Sequence, residues 1–316
     1  MKASRLAAEV SEYPKGSIPN MILVFLKEKA WAYLQLIRFP NLFTAMADVL
    51  AGYLIIFGSR LSWSDLFLLA LSSTCIYAGG CALNDLCDRG VDAEERPSRP
   101  IPSGRVSVGE ALFLTCGLFA VALFLSFRVA TGSFLIASLL IALSVLYDTF
   151  SKKTEIFGPL NMGACRSFNL LLGMSPGFPP SVLHLVLALI SMTYVFSLTV
   201  LSKAEVGGTL GSRRWIVLAG WLLVLSAVLY LKLDDRLAQS SLIFLIAFVF
   251  FTGRALLKWF TDPTPASVGN GVKTMVLGIP LLDAVYLGGT QGWVYAVPVA
   301  LCILPAVYFS RRFYVT

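Results

Sequence analysis

From residue 31 onward the chain is one apolar run after another, each roughly as long as the twenty or so residues a helix needs to cross a bilayer. Charges and Pro/Gly breaks delimit ten segments, near 31–57, 64–83, 108–127, 132–147, 159–175, 182–201, 215–231, 239–257, 271–288 and 292–310. The expected fold class is therefore all-α: a polytopic transmembrane helical bundle over 31–316, preceded by a polar cytoplasmic segment at 1–30. Composition agrees, because 14% of the 316 residues are charged and 57% hydrophobic, whereas a soluble domain carries about 25% charged residues. No secretory signal is visible: residues 1–20 are polar and Met21–Leu26 is too short for an apolar core.

Basic residues resist translocation and so set the orientation. With the N-terminus inside, 19 of the 25 Lys and Arg fall on the inner side and four outside, while Arg38 and Arg166 fall within helices. Both termini, and the loops at 84–107, 148–158 and 202–214, are thereby expected on the cytoplasmic face. The net charge of +7 is accounted for by those loops, without nucleic acid as a partner. His184 is the only histidine, and the six cysteines (Cys75, Cys81, Cys87, Cys116, Cys165 and Cys302) form no CxxC pair. Zinc, haem and Ser-His chemistry have almost nothing to work with, and the cysteines read as small buried hydrophobes.

One stretch breaks the apolar monotony. "ALNDLCDRGVDAEERPSRPIPSGR" (Ala82–Arg105) follows the second run directly and carries Asp85, Asp88 and Asp92 at i, i+3 and i+7. On a continuous helix these lie within about 60° of one another. Hard oxygen ligands so placed suit Mg²⁺, which binds through one or two carboxylates and completes its shell with water and phosphate. The competing reading is a solvated loop whose aspartates pair with Arg89, Arg96 and Arg99. Inside the apolar runs Arg38, Asn41, Asp48, Asn161, Arg166, Asn169 and Asp283 stand out, because polar groups at depth face a cavity or one another. Asp48 is expected to face a cavity, with pairing to an arginine as the competing reading, and the sequence leaves Asp283 undecided.

These motifs resemble the UbiA superfamily of intramembrane prenyltransferases. Its first signature, NxxxDxxxD, is matched by Asn84, Asp88 and Asp92, with Asp85 completing NDxxD, and "RPSRPIPSG" is similar to the segment that follows it. "LIRFPNLFTAMADVLAGYL" and "YDTFSKKTEIFGPLNMGACRSFNLLLG" extend the resemblance over about 31–215, closest to the branch of UbiA-like proteins called EboC; beyond 215 only the apolar pattern agrees. The resemblance implies a Mg²⁺-dependent transferase of a bacterial inner (plasma) membrane, its active site facing the cytoplasm. It would move a prenyl group from an isoprenoid diphosphate to a small cyclic, aromatic acceptor. Asn84, Asp85, Asp88 and Asp92 would hold the metal, with Asp88 and Asp92 central to catalysis.

By the same resemblance Arg99 and Lys152 would meet the diphosphate, with Lys153, Lys203 and Arg166 as further cationic candidates, and Tyr147 and Asp148 would position diphosphate or acceptor. Arg38 and Asn41 sit where the family lines its pocket, and Asn161 joins them as a substrate-binding candidate. For each lysine, topology-setting charge is an equal account. The pattern departs from the family in two ways. Nine helices are usual there, against ten here, and the family's second acidic motif is replaced by "SKAEVGGT" (202–209), where only Glu205 keeps a carboxylate as a metal candidate. Asp88 and Asp92 precede Glu205 and Thr209 by the same 117 residues, a spacing that fits a diverged repeat. Three readings stay open: a transferase with one strong metal site, a transferase with an altered second site, and a non-catalytic relative that binds or transports an isoprenoid-like lipid. A secondary transporter would instead need ion sites at the membrane midplane built on broken helices.

Overall fold

The computed structural model describes residues 18–207, 213–262 and 264–313. Those residues form helices joined by short turns, the arrangement lipid demands of a backbone that must satisfy its own hydrogen bonds. In chain order they are α1 (Ile18–Leu36), α2 (Phe39–Phe57), α3 (Trp63–Cys87), α4 (Arg89–Glu95), α5 (Val108–Val129), α6 (Thr131–Thr149) and α7 (Phe157–Met174). There follow α8 (Val182–Gly207), α9 (Arg213–Leu233), α10 (Ser241–Thr261), α11 (Pro265–Leu277), α12 (Ile279–Thr290), α13 (Trp293–Leu301) and α14 (Ile303–Phe309). Among the described residues eight helical stretches are long and apolar enough to cross a membrane. Two expected segments fall outside that set. In α7 the apolar run is interrupted by Asn161, Arg166 and Asn169, and Trp293–Phe309 is short, with α13 and α14 meeting at Cys302.

The first expected segment, 31–57, is not one helix. The chain turns between α1 and α2, where Arg38 takes a left-handed conformation (φ 48°, ψ 55°) and Pro40 enters the first turn of α2, a position where a missing N–H costs nothing. Arg38 thus caps a helix instead of lying within one. Nor is the 1–30 boundary a structural one, since α1 runs through it. Another break comes at Asp88, which ends α3 and precedes α4, so the three aspartates do not share one helical face. Ala266–Thr290 is broken at Gly278, with Pro280 just beyond.

Two apolar cores meet on α2 and α7. One gathers α2 and α7 with α8 to α12, and the other gathers them with α3, α5 and α6. α5 and α6 bury mainly small or polar residues such as Ala111, Ala122, Ser133 and Ala137 and turn Phe113, Phe124, Phe127 and Leu135 outward, as lipid-facing helices should. The contact between α2 and α7 depends on glycine. A Cβ on Gly52 would stand 2.2 Å from the Leu170 carbonyl oxygen, and one on Gly173 would stand 2.3 Å from that of Val49. Such close backbone approach is the usual way helices pack in lipid. The cysteines are all free, and Cys87 and Cys116 are exposed instead of buried.

Candidate active site

The loops expected on one face do converge. α3 delivers Asn84 and Asp85, the α3–α4 break delivers Asp88, and α4 delivers Asp92. The following turn then folds Arg99 back over them. One nitrogen of Arg99, Nη1, lies 2.7 Å from Asp92 Oδ2 and 3.2 Å from Asp85 Oδ1. Asp85 and Asp92 are only 5% and 3% exposed, so these aspartates face into the protein and not into bulk water. Asp88, half-buried, instead receives Lys152 Nζ at 2.6 Å from the turn after α6. Among the described residues no three acidic side chains surround a single point, because the helix break sends Asp88 to a different cation from its neighbours.

A second layer ties this cluster to the α1–α2 turn. Arg38 Nη2 donates to Asn84 Oδ1 at 2.9 Å and lies 3.5 Å from Asp85 Oδ1. Asn84 Nδ2 in turn donates to Asp148 Oδ1 at 2.8 Å, with Lys152 Nζ 4.0 Å from the same oxygen. Burial opposes the charge on Arg38, yet the acidic groups around it, Cys81, Asp85, Tyr77 and Asp148, outweigh that and raise its pKa above the ordinary value. Asn41 is buried one turn below Arg38, and Tyr147 is half-buried beside Asp148.

The remaining candidates serve the frame. Lys203, from α8, donates to the carbonyl oxygen of Lys152 at 3.0 Å and to that of Thr154, so it grips the turn that presents Lys152. Asn161 Nδ2 holds the Ser151 hydroxyl at 3.0 Å from the α7 side. Lys153 is exposed. Arg166 lies deeper, its Nε 2.6 Å from Asp48 Oδ2 while another nitrogen donates to the Thr44 carbonyl. Of the two readings for Asp48, the structure thus has the arginine's partner. Glu205 is on the last turn of α8; its side chain, with Thr209, lies outside the described residues. Sequence reasoning missed Ser73, which donates to Asn169 Oδ1 at 2.7 Å, and the backbone carbonyls of Lys152 and Thr154; a serine among apolar residues was the one available signal.

Does this donor set suit a divalent cation? Asp85, Asp88, Asp92 and Asp148 face Arg38, Arg99 and Lys152, four carboxylates against three cations. The donors are hard oxygens and the cluster is short of positive charge, which is the chemistry Mg²⁺ fits.

The model of the UbiA prenyltransferase family matches residues 45–315. The chain belongs to the UbiA prenyltransferase family. A digeranylgeranylglyceryl phosphate synthase of Saccharolobus solfataricus is 30% identical over 176 residues, covering 56% of this chain and 62% of that protein. One of Methanopyrus kandleri is 36% identical over 164 residues, 51% of this chain and 59% of its own. The chain thus spans under two thirds of the length of these archaeal relatives. Among solved structures, a UbiA homologue of Archaeoglobus fulgidus bound to GPP and Mg²⁺ superposes with a TM-score of 0.53 at 12% identity, over 85% of this chain and 99% of the other. At that identity the likeness shows the fold, which for this UbiA family member is an integral membrane bundle.

Proposed function

We propose that this UbiA family member is a Mg²⁺-dependent prenyltransferase acting on a prenyl diphosphate at the membrane surface. The observation that carries the reading is the junction of α3, α4 and α6, where Asp85 and Asp92 share Arg99 while Asp88 holds Lys152. Asn84, Asp85, Asp88 and Asp92 are the residues that would hold the metal, which when bound neutralises charge on a diphosphate leaving group. Arg99 and Lys152 would then turn from carboxylate oxygens to phosphate oxygens, stabilising the charge that builds as the C–O bond breaks. Lys203 and Asn161 keep the Lys152 turn in place, and Arg38 holds Asn84 and Asp85 in register. The surrounding apolar helices would take the isoprenoid tail and exclude water from the allylic cation. A face rich in basic loops is the cytoplasmic one by the charge rule, so the site opens there.

The relatives are named for a phosphorylated glyceryl lipid, whereas the motif resemblance implies a cyclic, aromatic acceptor, and the assay should carry both. Purified protein with Mg²⁺, labelled geranylgeranyl diphosphate and panels of prenylated glyceryl phosphates and aromatic acceptors should release diphosphate and yield a prenylated product. Absence of metal-dependent release with every donor would sink the transferase and favour a lipid-binding or transport protein.

A further inference from the structure

The middle of the bundle holds a polar group that prenyl transfer at the surface does not use. Asp48 of α2 and Asp283 of α12 are each 1% exposed, and Arg166 of α7 is 7% exposed. Asp48 and Asp283 belong to the spans Phe39–Arg60 and Ala266–Thr290. At about 1.5 Å per residue they lie roughly 10–15 Å from the nearer end of their span. Asp48 Oδ2 is fully engaged: Arg166 Nε lies 2.6 Å away and Asn169 Nδ2 donates to it at 2.8 Å. Among the described residues no protein N–H or O–H group donates to Asp48 Oδ1 or to either oxygen of Asp283, although the two carboxyl groups meet within hydrogen-bonding reach.

The charges do not balance as they stand. Two carboxylates and one guanidinium would leave a net negative charge deep in the bundle, which burial strongly disfavours. Two carboxylates in contact cannot both stay ionised, since neither can donate to the other. The other titratable groups around them are Tyr286 of α12, Tyr194 of α8, Tyr77 of α3 and Cys302 between α13 and α14. All are uncharged in their ordinary state near neutral pH. Tyr194 has its proton committed to the Met275 carbonyl, and Tyr286 accepts from Ser191 at 3.1 Å. Among the described residues Arg166 is thus the one positive group facing the pair, and it is ion-paired with Asp48.

We propose that Asp48 and Asp283 bind one proton between them, forming a carboxyl–carboxylate hydrogen bond that Arg166 neutralises at the centre of the bundle. A single proton from water removes the excess charge and converts an unsatisfied contact into a hydrogen bond. It also joins α2, packed on α7 through Gly52 and Gly173, to the helix pair broken at Gly278. The site is built on a broken helix at membrane depth, which is where proton and ion sites of membrane proteins are found. It stands whether or not the surface site transfers prenyl groups.

Infrared spectroscopy of the full-length protein in detergent at neutral pH tests this. The wild type should show a protonated carboxyl C=O stretch that shifts in deuterium oxide and disappears from the Asp283→Asn difference spectrum. Asp283→Asn, the neutral twin of the protonated acid, should melt at the wild-type temperature or above it. The proposal is overturned if the Asp283-dependent band is absent, or if Asp283→Asn fails to fold or melts well below wild type. A wild-type melting temperature that rises in sodium chloride relative to choline chloride would likewise overturn it, by placing a metal cation where the proton is assigned.

Discussion

Arg99 offers a direct way to ask whether the surface carboxylates are metal ligands, because it stands where a cation is needed. Its Nη1 contacts Asp92 at 2.7 Å and Asp85 at 3.2 Å, with side-chain exposures of 13%, 4% and 7% for the three residues. Arg99→Met keeps an unbranched apolar stem and removes the guanidinium with its charge, leaving two nearly buried carboxylates against each other. Removing one partner of a buried ion pair costs about 3–5 kcal/mol. The cost here should fall near the lower figure, because Asp85 keeps Arg38 at 3.5 Å. Magnesium ought to repair the loss by taking the place of the guanidinium. A site binding only the folded protein restores about 2.7 kcal/mol at a hundredfold excess over its Kd, most of what the substitution removed. Thermal melting in detergent, titrated from chelator to millimolar Mg²⁺, reads both effects: the variant should melt well below wild type in chelator and recover most of the difference as Mg²⁺ is added. A variant whose melting temperature ignores Mg²⁺ would show that these aspartates hold no metal, and the surface site would have to be explained as a set of ion pairs.

Further outcomes follow from single contacts. Lys203→Ala frees the carbonyls of Lys152 and Thr154, so KM for the prenyl diphosphate should rise several-fold with the Mg²⁺ dependence unchanged, and Lys203→Arg should recover part of it; a loss of kcat alone would place Lys203 elsewhere in the reaction. Gly173→Ala puts a Cβ 2.3 Å from one backbone atom of α2 and 2.9 Å from another, and such overpacking should cost about 1–3 kcal/mol, read as a lower melting temperature; unchanged melting would contradict the packing described. Asn84→Ala removes two hydrogen bonds to charged partners, Arg38 and Asp148, each worth about 1.5–3 kcal/mol. Turnover should fall more than a hundredfold, by about 1.4 kcal/mol per decade, and turnover close to wild type would remove Asn84 from the site. For orientation, Lys153→Cys and Asp235→Cys in a chain lacking its native cysteines should react with an impermeant thiol reagent from opposite sides of the membrane, Lys153→Cys from the cytoplasm. Labelling of both from one side would overturn the topology.

The apolar pattern located the helices well, because length and hydrophobicity are what lipid selects for, and each of the ten expected segments falls on helix. What it hid were the interruptions. Arg38, Gly278 and Cys302 break segments that read as continuous, since a helix can turn without changing the polarity of its sequence; Pro40 and Pro280 were the local signals. The acidic stretch was legible as a cluster, but its division between Arg99 and Lys152 depends on a break at Asp88 that spacing alone does not encode. The pairing of Asp48 with Arg166 joins residues 118 positions apart in sequence, and no local pattern reports such a contact. Motif resemblance reached the family, while the EboC-like branch and the aromatic acceptor stay expectations.

The central claim is that the junction of α3, α4 and α6 binds a divalent ion together with a prenyl diphosphate. Its most direct test is a crystal structure with Mn²⁺ in place of Mg²⁺ and geranyl diphosphate, mapped by anomalous scattering. The account predicts a peak coordinated by oxygens of Asp85, Asp88 or Asp92, with Arg99 and Lys152 turned toward the phosphates. A map showing diphosphate bound with no anomalous peak at those aspartates, or the metal held elsewhere in the chain, would contradict it.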